Sequence, residues 1–198
     1  MLKQHLKIIL ASKSPRRQEL LKGIGVQFDI ETRDVLEDYG DEMNIYEVPV
    51  YLSKLKSGPF LTDKYKGLAV ITSDTVVIIE GEILEKPKSE EDAVKMIRKL
   101  SGKTHEVVTG VSVLINGINN TFSNVTKVTF DEVSAVEAEY YVKSFKPLDK
   151  AGSYGIQEWI GYTKIAKIDG CYYNVMGLPL RDLYKKLIEL NVIQCYDS

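Results

Sequence analysis

The chain has 198 residues, with 26 Lys plus Arg against 28 Asp plus Glu, a formal net charge of −2, 44% hydrophobic and 27% charged residues. This is the balance of a globular chain with a substantial core, read as one domain over residues 1–198, and it excludes an intrinsically disordered chain. A near-neutral, slightly acidic chain also lacks the broad positive field that a nucleic-acid coat needs, so no nucleic-acid partner is expected.

Lys7 to Ala11 reads as a short buried strand, and its apolar part is too short for a signal-peptide core or a membrane span. Ser14 follows as a candidate N-cap with Pro15 at the first helical position, and the helix buries Leu20, Leu21 and Ile24 before Gly23 or Gly25 closes it. Phe28 and Ile30 alternate as a strand, Glu31 to Asn44 is a polar, acidic loop, and a helix is expected around Glu47 to Lys56. Leu68 to Ile79 is a long strand, turning at Glu80-Gly81 into Glu82 to Leu84.

Ser89 opens the clearest helix, with Asp92 at the capping-box position and Ala93, Met96, Ile97 and Leu100 at helical spacing. Glu106 to Ile115 and Thr121 to Phe130 read as a hairpin across Asn116 to Asn120. Ser134 and Glu137 make a second capping box for a helix to about Phe145. Tyr162 to Ile168 and Cys171 to Val175 are expected as another hairpin, around Asp169-Gly170. A last helix from near Pro179 is expected to bury Leu180, Leu183, Tyr184, Leu187 and Ile188. Alternating strands and helices without a linker imply a mixed α/β fold.

Cys171 and Cys195 stand far apart, without a CxxC or Cys/His cluster, so they read as buried small side chains in a reducing cytoplasm, with neither zinc nor a disulfide. His5, near a terminus expected to fray, and His105 offer little for a Ser-His-Asp or Cys-His site. Tyr172, Tyr173 and Trp159 are expected to pack.

Four segments can carry chemistry. Arg16 and Arg17 fall in the first turn of their helix, facing the positive end of its dipole, where they are either a solvated basic start or, with the Ser12 and Ser14 hydroxyls, a cradle for a phosphate chain. No P-loop or complete dinucleotide fingerprint accompanies them. Thr72-Ser73-Asp74-Thr75 is a polar island in an apolar strand; Asp74 is either a site carboxylate, holding Mg²⁺ or acting as general base, or a strand-edge residue in a bulge. Lys86, before Pro87, either reaches a phosphate or is a surface lysine. Asp149 to Gln157 is a Gly-rich loop ending in an amide able to donate and accept, as reading a base edge requires; the alternative is a flexible connection.

In order along the chain, Leu10-Ala11-Ser12-Lys13-Ser14-Pro15-Arg16-Arg17, Ser73-Asp74-Thr75-Val76-Val77, Glu85-Lys86-Pro87, Leu100 to His105, Asp149-Lys150-Ala151-Gly152 with Gly155-Ile156-Gln157, and Tyr173 to Leu180 resemble the motifs of the Maf (septum formation) family of nucleoside triphosphate pyrophosphatases. The likeness spans about residues 7 to 190. It implies a mixed, strongly twisted sheet flanked by helices, in two lobes with a central cleft, akin to inosine triphosphatases. It also implies a Mg²⁺- or Mn²⁺-dependent hydrolase cleaving between the α and β phosphates.

Carried over by motif, the resemblance makes Asp74 catalytic, Glu37 and Asp74 metal ligands, and Ser12, Arg16, Arg17, Lys56 and Lys86 phosphate ligands. Arg17, Thr75 and Gln157 resemble the branch acting on dTTP and UTP, while another branch takes 7-methyl-GTP. Glu158-Trp159 follows Gln157 where relatives commonly have glycine. A homodimer and modified pyrimidine nucleotides as further substrates are implied in the same way, and the cytoplasmic setting read from the cysteines agrees with them. The alternatives are a non-hydrolysing, nucleotide- or nucleic-acid-binding regulator of septum formation, a 7-methyl-GTP pyrophosphatase and an inosine triphosphatase-like house-cleaning enzyme.

Overall fold

A computed structural model describes residues 2–40 and 42–195. In chain order its strands and helices are β1 (Leu2–Gln4), β2 (Lys7–Leu10), α1 (Pro15–Gly23), β3 (Phe28–Ile30), α2 (Val48–Ser57), β4 (Leu68–Ile79), β5 (Glu82–Leu84), α3 (Glu90–Leu100), β6 (Thr104–Ile115), β7 (Ile118–Phe130), α4 (Ala135–Phe145), α5 (Trp159–Lys164), β8 (Ile165–Asp169), α6 (Tyr172–Val175), α7 (Leu180–Glu189) and β9 (Ile193–Cys195). The main sheet is mixed, with strand order β3-β2-β4-β6-β7-β8 and β5 paired to β4. The mixed α/β class expected from the sequence is what the chain adopts.

The chain divides into two compact units. The first takes the chain up to Asp74, Thr109–Asn124 and the segment from Gly177 onward; the second takes Thr75–Val108 and Val125–Met176. In the first, β2 runs parallel to β3 and to the start of β4, with Leu10 opposite both Ile30 and Ile71. Ile9, Phe60, Tyr65, Val70 and Leu114 form one of its apolar clusters. In the second, β5 and β8 pair antiparallel with β4 and β7, and the core gathers Val77, Ile97, Leu100, Phe130, Tyr141, Tyr154 and Ile160 among others.

Several expectations are corrected. The terminus does not fray, because β1 pairs antiparallel with β9, Leu2 opposite Cys195. The β6–β7 connection is a two-residue turn: Asn116 (φ 49°) and Gly117 (φ 81°) both have positive φ, as primed hairpin turns require, so the strands run on to Ile115 and Ile118.

The expected hairpin of Tyr162 to Ile168 with Cys171 to Val175 does not form: Tyr162 to Lys164 end α5, β8 starts only at Ile165 and pairs with β7, and Tyr172–Val175 is helical. Asn174 is fully buried and donates from Nδ2 to the Val107 carbonyl (2.9 Å) and the Thr126 hydroxyl (3.0 Å), while the Cys171 N–H donates to that same hydroxyl at 3.0 Å. These bonds draw the segment into a turn and leave Tyr172 and Tyr173 exposed rather than packed. The cysteines are free but not buried: Cys171 is half-buried and Cys195 exposed, in contact with the Tyr184 hydroxyl.

The helix ends follow the caps read from the sequence with two exceptions. Ser134 and Glu137 form the full capping box. At α3 the Ser89 side chain accepts from the Asp92 N–H, while Asp92 turns to the Lys88 N–H. Ser14 precedes Pro15 at the start of α1 without a side-chain cap, because the local turn is made by Ser12. On α7, Leu180, Leu183 and Leu187 are buried, whereas Ile188 is exposed.

Candidate functional site

The site in the first unit is assembled where β2 and β4 leave their parallel pairing. The Ala11 N–H still donates to the Ile71 carbonyl (2.9 Å), and the chain then turns into α1. Ser12 is buried and its Oγ accepts from the Ser14 N–H at 3.2 Å, a Ser/Thr turn that aims the start of α1. The Gln18 amide donates back to the Ser12 carbonyl (3.2 Å), closing the turn from the helix side.

Arg17 is held by the main chain. Its Nε donates to the Gly177 carbonyl (2.8 Å) and its Nη1 to the Ser73 carbonyl (2.9 Å). The guanidinium thus fastens α1 to the residue preceding Asp74 and to the turn before α7. Burial lowers its pKa, the Asp74 charge opposes that shift, and the Arg16 and Glu37 charges act in opposite senses on it. Arg16, Arg17, Glu37 and Asp74 therefore share one local field.

Asp74 lies in the unbroken strand β4 and is 9% exposed, so the alternative of a strand-edge bulge is set aside. A carboxylate this buried needs a partner. Lys56 supplies it: Nζ lies 2.5 Å from Asp74 Oδ1 and 2.9 Å from Glu37 Oε2. The Lys56 and Asp74 side chains are 17% and 12% exposed, and Glu37, from the loop after β3, is 44% exposed. One ammonium thus bridges a buried carboxylate and an open one.

Periodicity explains the meeting. Thr72 and Asp74 share one face of β4, two residues apart, and Ser53 and Lys56 share one face of α2, three apart. The fully buried Thr72 hydroxyl donates to the Ser53 carbonyl (2.7 Å), fixing the helix beside the strand at the register where Lys56 reaches Asp74. Ser57 pins the far end of α2 by donating to Asn119 Oδ1 at 2.7 Å. At Gly110 on β6 a Cβ would lie 2.3 Å from Pro49 C and Val50 N, so only glycine admits α2 this close. Thr72, Ser53, Ser57, Asn119 and Gly110 were not singled out as site residues by the sequence; the polar i, i+2 pair in an apolar strand was the available signal for Thr72.

The donor set suits a divalent cation. Glu37 and Asp74 already converge on one positive group, and Mg²⁺ or Mn²⁺ takes one or two carboxylates with substrate phosphate oxygens completing the shell. Among the described residues no cluster of three or more His, Cys, Asp or Glu could hold a metal without such help.

The remaining expected residues belong to the second unit. Thr75 follows Asp74 on β4 and is half-buried, and Lys86 is exposed just after β5. Gln157 ends the Gly-rich loop, with its Oε1 buried and lacking a hydrogen-bond partner. Trp159 packs on Tyr140 and Tyr141 at centroid distances of 5.3 and 6.4 Å. His105 is 1% exposed, bonds Tyr154 through Nε2 (2.7 Å), and is pushed down to a pKa of about 4 by burial.

Fold and site together define an α/β protein in which a buried strand carboxylate and a second carboxylate meet one lysine ammonium, and an arginine of the first helix engages the carbonyl next to the strand carboxylate. The family follows from comparison with known proteins: the Maf-like protein family matches residues 7–190, and the chain belongs to it. A dTTP/UTP pyrophosphatase of Phocaeicola vulgatus is 47% identical over 185 residues, covering 93% of this chain and 96% of that protein. Proteins of the same name from Christiangramia forsetii and Flavobacterium johnsoniae are 46% and 44% identical, covering 96% of this chain and 96% and 100% of theirs. Among solved structures, a HAM1 protein from Coxiella burnetii has a TM-score of 0.48 at 14% identity, covering 93% of this chain and 99% of that one.

Proposed function

We propose that this chain is a nucleoside triphosphate pyrophosphatase that hydrolyses dTTP and UTP to the nucleoside monophosphate and pyrophosphate. The observation that carries the reading is the Lys56 ammonium between the Asp74 and Glu37 carboxylates, with Arg17 of α1 bonded to the Ser73 carbonyl next to Asp74. A regulator that only bound nucleotide would have no need of a buried carboxylate held ready in a strand. The names borne by relatives at 44–47% identity support the same reading and its base preference.

In this reading Asp74 orients the attacking water and accepts its proton as the water oxygen bonds the α-phosphorus and the bond to the bridging oxygen breaks. The Arg16 guanidinium, the N–H groups at the start of α1 and Lys56 bind the triphosphate oxygens, and Lys86 is assigned to the same task. Ser12 and Arg17 are assigned to the phosphates as well, and Arg17 also to base preference; Ser12 in addition shapes the turn that presents these groups, and Arg17 keeps α1 and the strand carrying Asp74 in register. Glu37 and Asp74 would hold Mg²⁺ or Mn²⁺, which supplies charge neutralisation on the phosphates. Thr75 and the Gln157 amide are assigned to the pyrimidine.

A cytoplasmic house-cleaning role, a homodimer and modified pyrimidine nucleotides as additional substrates belong to the proposal. Among the described residues no helix is long and apolar enough to cross a membrane. The test is pyrophosphate release from dTTP, UTP, dCTP, ITP and 7-methyl-GTP with Mg²⁺ or Mn²⁺. Turnover concentrated on dTTP and UTP is expected. Preference for ITP or 7-methyl-GTP would refute the base assignment, and binding without turnover under either metal would refute the enzyme.

A further inference from the structure

The loop that ends in Gln157 is held by a buried polar network to which the proposed function assigns no role. Lys150, 8% exposed, places Nζ 3.2 Å from Glu158 Oε1 and 2.8 Å from Asp149 Oδ1. The other Glu158 oxygen accepts a hydrogen bond from the Tyr141 hydroxyl, itself fully buried on α4. That hydroxyl accepts in turn from the Gly155 N–H at 2.9 Å. The Glu158 N–H donates to the Gly155 carbonyl (3.0 Å), so the carboxylate and main chain of Glu158 close a ring around Gly155, Ile156 and Gln157.

The ring has no slack. A Cβ on Gly155 would lie 2.7–2.9 Å from the Glu158 carboxyl atoms. Ile156 is buried in the core beneath the loop, and the Gln157 carbonyl accepts from the Tyr162 hydroxyl at 2.5 Å. With both neighbours fixed, the Gln157 amide is held at a set point, its buried Oε1 still without a partner. A buried acceptor in that state costs free energy unless a ligand satisfies it.

We propose that Glu158 is a positioning residue for base recognition: clamped between Lys150 and Tyr141, it fixes the Gly155–Gln157 main chain and thereby where the Gln157 amide meets the pyrimidine. This rests on the pyrimidine triphosphate reading above. The network is more than a fold staple, because the groups it immobilises are those flanking the one side chain of the loop with an unsatisfied buried acceptor. Losing a single well-placed hydrogen bond to a base lowers discrimination by roughly tenfold.

The test compares the unsubstituted chain with Glu158→Gln, Tyr141→Phe, Gln157→Ala and the Glu158→Gln/Gln157→Ala double variant. The readouts are kcat and KM for dTTP and dCTP, Kd for their α,β-methylene analogues, and thermal melting. Glu158→Gln and Tyr141→Phe should raise the KM and Kd for the thymine nucleotide about tenfold, lower the dTTP/dCTP preference, and leave kcat within about twofold. The double variant should be no worse than Gln157→Ala alone. A lower melting temperature with KM, Kd and base preference unchanged would reduce Glu158 to a structural residue and overturn the proposal. The non-hydrolysable analogues separate the two failures: an unsubstituted chain that binds them with the expected preference but releases no pyrophosphate refutes the enzyme while leaving the positioning role measurable. One that binds neither refutes both.

Discussion

His105 shows how much a single side chain can be altered by its surroundings. It is buried edge-on between Phe130 and Tyr154, at centroid distances of 5.1 and 5.4 Å, with Nδ1 lacking a hydrogen-bond partner. Its folded pKa of about 4 lies below the ordinary 6.5, so between those values the unfolded chain binds more protons and stability falls as pH drops. The full loss is about 3 kcal/mol, taken between pH 6.5 and 4. Urea midpoints across that window should fall more steeply for the unsubstituted chain than for His105→Gln; parallel slopes would show that His105 does not carry the acid sensitivity. Arg17 makes a related point about site residues. Its type and place in the first turn of α1 suggested a phosphate ligand, but nothing there suggested that it is also held by the Ser73 and Gly177 carbonyls, 56 and 160 residues away in sequence. No local pattern announces such partners.

Among the elements, α2 decides whether the site exists, because it brings Lys56 to Asp74. Gly110→Ala forces a Cβ to 2.3 Å from main-chain atoms of Pro49 and Val50, which cannot move aside as a side chain tip would. We expect a loss of about 2–3 kcal/mol in urea unfolding and a fall in kcat at least tenfold as Lys56 is displaced; a Gly110→Ala chain with unaltered kcat would contradict the claim that this seating positions the site. Elements with strong local signals were legible in advance: β4 runs from Leu68 to Ile79 as the apolar runs on either side of its polar island predicted, and α4 begins at its capping box. β1 and β9 were not, since each is three residues long and is defined by a partner about 190 positions away. The segment Tyr172–Val175 carries aromatic and β-branched residues that suit a strand, but the buried Asn174 overrides that preference with two hydrogen bonds. Within the site, Asp74 was legible because a carboxylate among apolar strand residues is costly without a use. Lys56 and Glu37 came only from family likeness, because a lysine in a helix and a glutamate in an acidic loop are ordinary there.

For the whole molecule, the net charge of −2 conceals a local arrangement. Arg16, Arg17 and Lys56 share one field with Glu37 and Asp74, three cations against two carboxylates. That small excess, with a divalent ion added, matches one short polyphosphate and not an extended polyanion. In the proposed function Asp74 is the group that this arrangement serves. Pre-steady-state hydrolysis of dTTP with saturating Mg²⁺ tests it most directly, comparing the unsubstituted chain with Asp74→Asn after thermal melting has shown both folded. We predict pyrophosphate formation slowed by about 10²–10³-fold in Asp74→Asn. Hydrolysis at the unsubstituted rate would contradict the assignment of Asp74 and with it the reading of the site.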